Sequence, residues 1–176
     1  MSNQLILSHE QHEALWKHLL QNSKEQVAFV FAQARKTDFG LTLEAREIHL
    51  VSEEELLDQE SYHISLTDKA QAELIKVAWA KKAALVELHC HLGFQFPSQF
   101  SYSDLLGLEE FVPHVRWRLK GEPYAALVVG PNDFDGLVWI KDSPELLDAV
   151  IVNGQILSST ALTLRALQSE ADADHD

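Results

Sequence analysis

The stretch ELHCHLGFQFPSQFSYSD, from Glu87 to Asp104, gathers the side chains best suited to chemistry. Two histidines stand one residue apart, and a serine and an aspartate follow a loop later. A β-strand turns successive side chains to opposite faces, so His89 and His91 project together while Cys90 points away. Two imidazoles on one face can share one metal ion. Zinc favours nitrogen ligands, and catalytic zinc takes three protein ligands plus water. Asp104, returned by the loop to the start of the next helix, is a candidate third ligand, with Ser101 three residues before it. Taken alone, His-x-His also fits a strand with two hydrogen-bonded or half-exposed histidines. A further residue lies far upstream: Glu25, in NSKEQVAFVF. Metal-assisted hydrolysis needs a base for the water's proton, and a nearby carboxylate suits that task.

Elements must position these groups. Ser8 followed by Gln11 has the form of a capping box, and Leu15/Leu19 and Trp16/Leu20 recur at helical spacing, so the chain opens on a helix. Val27 to Gln33 is β-branched and aromatic; with Leu41 to Val51 across a turn at Gly40 it predicts a hairpin. Ser52 to Leu66 reads as acidic and loop-rich. Thr67 and Asp68 can begin a second helix, with Ala70, Leu74, Val77 and Ala78 as its apolar stripe. Ala83 to His91 reads as a buried strand. Ser103-Asp104 can cap a helix carrying Leu105, Leu106 and Leu108. Tyr124 to Gly130 and Gly136 to Ile140 predict another hairpin. A strand near Val150 and a helix from about Ser158 to Leu167 follow. The expected class is α/β (α+β): a mixed sheet flanked by helices in one domain, residues 1–168, with an acidic disordered tail over 169–176.

The 176 residues, 46% hydrophobic and 23% charged, suit one globular domain. The N-terminus lacks the zones of a secretory signal, no apolar run would span a membrane, and a lone cysteine cannot form an internal disulfide. These features predict a cytoplasmic protein that does not bind membranes. Asp plus Glu number 27 against 14 Lys plus Arg, a formal net charge of −13. Nucleic-acid binding draws on cations that replace phosphate counterions, and no basic stripe supplies them. An acidic surface suits a basic peptide or protein segment, or solubility alone.

The ordered set Glu25, His89-x-His91, Ser101-x-x-Asp104 resembles the signature of the JAB/MPN (JAMM) metallopeptidases. The likeness extends to the order of elements over roughly the first 140 residues, including EPYAALVVG and GLVWI as the family's next hairpin. The resemblance implies a cytidine-deaminase-like JAB/MPN architecture, with His89, His91 and Asp104 binding Zn2+. Glu25 would hold and deprotonate the zinc-bound water, and Ser101 would stabilise the oxyanion. It also implies cleavage after the C-terminal glycine of a ubiquitin-like protein, as precursor processing or deconjugation. The partners implied are that protein or its conjugates and E1-like and E2-like proteins of one operon, including antiphage conjugation operons. Two alternatives remain: a noncatalytic JAB-fold scaffold, and a JAB peptidase acting on small peptides or sulfur-carrier proteins. The chain departs from the common family pattern at Leu92, where many members have proline, at Ala28, where many have glycine, and in a longer loop from His91 to Ser101.

Other features read more plainly. Glu87 shares the histidines' face and suits either an orienting partner for an imidazole, a rival base, or a polar residue at an exposed strand start. Cys90 faces away and reads as a small buried thiol. HEQHE, from His9 to Glu13, places its second histidine one position early for a zinc-protease helix and reads as a solvated helix face. NDFDG, from Asn132 to Gly136, lacks the later calcium ligand and reads as a hairpin turn that Gly136 permits. Phe94, Phe96, Phe100 and Tyr102 could wall a substrate tail or simply anchor the loop.

Overall fold

The computed structural model describes residues 1–21, 23–59, 64–91 and 97–173. Along the chain run β1 (Gln4–Leu7), α1 (His9–Leu19), β2 (Val27–Thr37), β3 (Gly40–Leu50), a 3-10 turn (Glu53–Glu55), β4 (Leu56–Gln59), β5 (Ile64–Leu66) and α2 (Asp68–Lys81). β6 (Ala84–Cys90), α3 (Tyr102–Arg118), β7 (Tyr124–Val129), β8 (Phe134–Trp139), β9 (Glu145–Leu146), β10 (Ala149–Val152), β11 (Gln155–Ser158) and α4 (Leu162–Ala173) complete it. The fold is α+β. Nine strands form one mixed sheet in the order β11-β10-β1-β3-β2-β6-β7-β8-β9, and β4 with β5 forms a separate hairpin.

Alternation decides the layers. Ala28 and Val30 of β2, Val86, Leu88 and Cys90 of β6 and Leu127 of β7 bury on the face covered by Leu15 and Leu19 of α1. Val27, Phe29, Leu85 and Val128 bury on the other, against Leu74 and Ala78 of α2 and Val112 and Val115 of α3. Both faces of the central strands are therefore covered, and their sequences read as continuous apolar runs. Where a charged or titratable residue interrupts such a run, it stands out.

Local chemistry sets the helix starts. Ser8 and Gln11 form the expected capping box, with hydrogen bonds of 3.1 and 2.9 Å. Thr67 caps α2 by accepting from Ala70 N at 3.1 Å. The third helix starts earlier than expected: Ser101, not Ser103, is its cap, because the Ser101 and Asp104 side chains each satisfy the other's backbone N–H. Pro113 lies inside α3.

Several expectations are corrected. A short strand, β1, precedes the first helix; its four residues are too few for periodicity to separate from a loop. The segment from Ser52 to Leu66 is not loop alone, since it carries the 3-10 turn, β4 and β5. Gly136 lies within β8, and the turn falls before Phe134. Its value is space, not turn geometry: a Cβ there would stand 3.0 Å from Leu147 Cβ. The strand near Val150 is β10, which continues through a left-handed Asn153-Gly154 turn into β11, a pairing its exposed residues concealed. The last helix runs from Leu162 to Ala173 rather than ending near Leu167. Residues 174–176 of the acidic tail, and Leu92, Phe94 and Phe96, lie outside the described residues. No helix of the described residues is long and apolar enough to cross a membrane.

Candidate metal centre

Strand pairing brings Glu25 and the histidines together. β2 and β6 are antiparallel with Val27 opposite His89. Cys90 N donates to Gln26 O at 3.3 Å, extending that register one step. Glu25 therefore arrives beside His91, with Glu25 Oε1 4.0 Å from His91 Nε2. From α1, His18 Nε2 lies 3.0 Å from Val27 O and fixes the entry to β2 just after Glu25. Glu25 is only 3% exposed.

The aspartate arrives from the first turn of α3. Asp104 Oδ2 is 3.0 Å from His91 Nε2, and Oδ1 is 3.4 Å from His89 Nε2. One ligand atom from each of His89, His91 and Asp104 falls within 4.8 Å of the others. His89 decides how this cluster reads. Its side chain is 3% exposed, yet neither ring nitrogen has a hydrogen-bond partner among the described residues. The nearest carboxylate oxygens, of Asp104 and Glu87, stand at 3.4 and 3.8 Å. A buried imidazole without partners costs about 1–3 kcal/mol. The donor set of two nitrogens and a carboxylate oxygen suits a divalent transition metal, which would relieve that cost.

The electrostatics centre on Asp104. Burial pushes its carboxyl upward, but contacts with His89 and His91 outweigh this and hold it well below the usual carboxylate range. Burial lowers the His89 pKa, and Asp104 first, then Glu87 and Glu25, overcome that and raise it. The site is thus a set of carboxylates, Glu25, Glu87 and Asp104, gathered around two imidazoles.

Glu87 takes a defined place. Tyr124 donates a hydrogen bond of 2.5 Å to its Oε2, while Oε1 faces His89 Nδ1 at 3.8 Å. Burial raises the Glu87 pKa, opposed by His89 and by Tyr124; burial and then Glu87 push the Tyr124 phenol well above its ordinary value. Tyr124 is a site residue that the sequence reading missed. Its signal is a hydroxyl at the start of an otherwise apolar buried strand, parallel to β6.

Ser101 Oγ accepts from Asp104 N at 3.2 Å and lies 3.2 Å from Ser103 Oγ. Through this cap it lies one helical turn before Asp104. Phe100 is buried and packs edge-on to the His89 ring at 5.8 Å, whereas Tyr102 is 78% exposed. The anchoring role suits Phe100 and not Tyr102. A buried network holds this segment. Phe100 N donates to Thr163 Oγ1 at 3.0 Å, and Thr163 N and Oγ1 donate to Asp135 Oδ2. Thr160 Oγ1 donates to Ser98 O, and Ser98 N and Oγ donate to Asp133. Asp133 and Asp135 thus serve the backbone leading to Ser101, and their spacing within NDFDG gave no sign of it.

Cys90 lies on the other face, buried, with Gln26 N donating to its sulfur at 3.3 Å. Burial pushes its thiol up to about 11. The His9–Glu13 pair of HEQHE is exposed, as a solvated helix face requires. A cavity of about 620 Å³ opens onto His89 and Asp104 between α2, α3 and the sheet. No protein-family model matches the chain, and no curated protein matches it.

Proposed function

We propose that this chain is a zinc-dependent JAB/MPN-type peptidase that cleaves after the C-terminal glycine of a ubiquitin-like protein. The observation that carries this reading is the buried His89 imidazole, without a hydrogen-bond partner among the described residues, beside His91 and Asp104, with Glu25 at the same strand end. The five residues named by the family resemblance come from three separate segments, and four of them, Glu25, His89, His91 and Asp104, lie side by side. A mixed sheet with helices on both faces is compatible with the JAB/MPN architecture that the resemblance implies.

His89, His91 and Asp104 would hold the ion. Zinc bound there would supply Lewis acidity toward a scissile carbonyl and lower the pKa of water. Glu25, buried and adjacent to His91, accepts a proton from the attacking water and returns it to the leaving amine. Ser101 donates its hydroxyl to the developing oxyanion, with its backbone fixed by the α3 cap. Glu87 Oε1 faces His89 Nδ1 at 3.8 Å and favours the tautomer that leaves Nε2 toward Asp104, and Tyr124 anchors Glu87 in turn. The cavity beside His89 carries acidic groups at Asp68, Glu87 and Glu110, which favour an extended basic tail. Precursor processing and deconjugation use the same chemistry, as would small-peptide or sulfur-carrier substrates.

Elemental analysis of wild type and His89→Ala tests the centre first. About one zinc per chain, lost in the variant, is expected. Cleavage of a ubiquitin-like fusion by wild type and not by Glu25→Gln then tests the activity. Wild type that takes up no zinc on addition would leave the scaffold reading in place.

A further inference from the structure

The opposite end of α3 carries a feature unlike the rest of this acidic chain. A cavity of about 570 Å³ between the C-terminal ends of α2 and α3 is lined by Lys76, Arg118, Lys120, Trp79 and Trp117 over a small apolar floor, and no lining residue is acidic. Trp79 is 49% exposed and Trp117 76%, although the chain has only four tryptophans. Lys120 Nζ sits 4.8 Å from the centre of the Trp79 ring. Lys76 has Glu73 3.8 Å away on its own helix, while Arg118 and Lys120 have no ion-pair partner among the described residues.

The two helices end alike. Each closes on Trp-x-x-Lys, Trp79 to Lys82 and Trp117 to Lys120, and each final lysine is left-handed, with φ of 50° and 54°. Glycine ordinarily takes that position. Cations and indoles are thus placed side by side at two helix ends, with both indoles open to solvent. Tryptophan and arginine are the residues on which protein interfaces most often depend.

We propose that this cleft docks a short acidic segment of another protein. An aromatic or apolar side chain of that segment seats between Trp79 and Trp117, and its carboxylates meet Lys76, Arg118 and Lys120. Charge complementarity selects this occupant. A nucleic acid or an anionic membrane extends well beyond the cleft and meets a chain of formal net charge −13, whereas a short segment confines its charge to the cationic patch. The cleft is remote from the candidate metal centre: Asp104 and Arg118 are about 20 Å apart along the rise of α3. Docking therefore leaves the centre open, and the proposal stands whether or not the metal reading does.

Selection of phage-displayed random dodecapeptides on the whole protein tests it, with depletion against Trp117→Ala/Arg118→Glu. Enrichment of peptides combining several Asp or Glu with an aromatic residue is expected. Titration of the leading peptide should show about tenfold weaker binding to each single variant and a loss of affinity with added salt. Melting temperatures of the variants control for folding; where one falls, Trp117→Leu and Arg118→Gln replace it. No enrichment, enrichment of neutral or basic peptides, or equal binding to the variants would overturn the proposal. So would oligothymidylate or phosphatidylserine vesicles binding more tightly than the peptide in a Trp117-dependent way.

Discussion

β6 has two faces built from alternate residues of one seven-residue segment, ALVELHC. Val86, Leu88 and Cys90 point into an apolar layer against α1, where burial pushes the thiol up to about 11. Glu87, His89 and, just past the strand, His91 point into a layer of acids, where His89 is buried without a hydrogen-bond partner among the described residues. The first face is closed to solvent, whereas the Glu87 and His91 side chains stay 19% and 30% exposed. What separates them is the chemistry of the strand's side chains: hydrocarbon and a thiol on one face, a carboxylate and imidazoles on the other. The apolar face is complete as packed, and the donor set of the other face is compatible with a metal ion.

Changes on each face should therefore fail differently. The largest effect is expected from His89→Ala, which should lose the metal and activity together while folding survives; metal analysis beside a melting curve checks this. Glu25→Gln should keep the metal and lower turnover by about 10²–10⁴-fold, the size of a general-base contribution, measured under saturating substrate. Leu88→Ala, one residue from His89 on the other face, should cost about 2–5 kcal/mol of stability and leave metal content unchanged, as denaturant titration of both forms would show. Tyr124→Phe should weaken metal affinity by about 10–100-fold through Glu87, without removing a ligand; competition with a chelator measures it.

The smallest effect concerns pH. In the metal-free protein Asp104 lies below its ordinary value of 3.8 and His89 above its ordinary 6.5. The Asp104 contribution is present above pH 3.8 and lost as pH falls; the His89 contribution is present below 6.5 and lost as pH rises. Apo stability should then peak on the acid side of neutrality. Metal should bind more tightly as pH rises, because it displaces the imidazole protons. A flat apo profile from pH 4 to pH 8 would contradict the charge network.

Much of the site was legible because a strand's two-residue period and a helix cap are local properties. His89 and His91 sharing a face, Cys90 opposing them and Asp104 at a helix start all follow from such rules. Glu25 came into place through the pairing of β2 with β6, which the predicted hairpin alone did not fix. Tyr124, Asp135 and Thr163 were not legible. Each acts across a distance in sequence, and each looks, locally, like an ordinary strand or helix residue. The short strands β1 and β11 escaped for a related reason: pairing with distant partners, not their own composition, makes them strands.

That β1 lies between β3 and β10 has a consequence for how the molecule comes into being. Residues 4–7 pair with 149–152, and the backbone before Ser101 hangs on Thr163. Such long-range closures are slow to form. A chain emerging from the ribosome holds Glu25, His89, His91 and Asp104 long before the residues that close the sheet and tie down the loop exist. The far edge of the sheet and the loop before Ser101 are thus secured last, after the β2–β6 pairing that brings Glu25 to the histidines is already available to form.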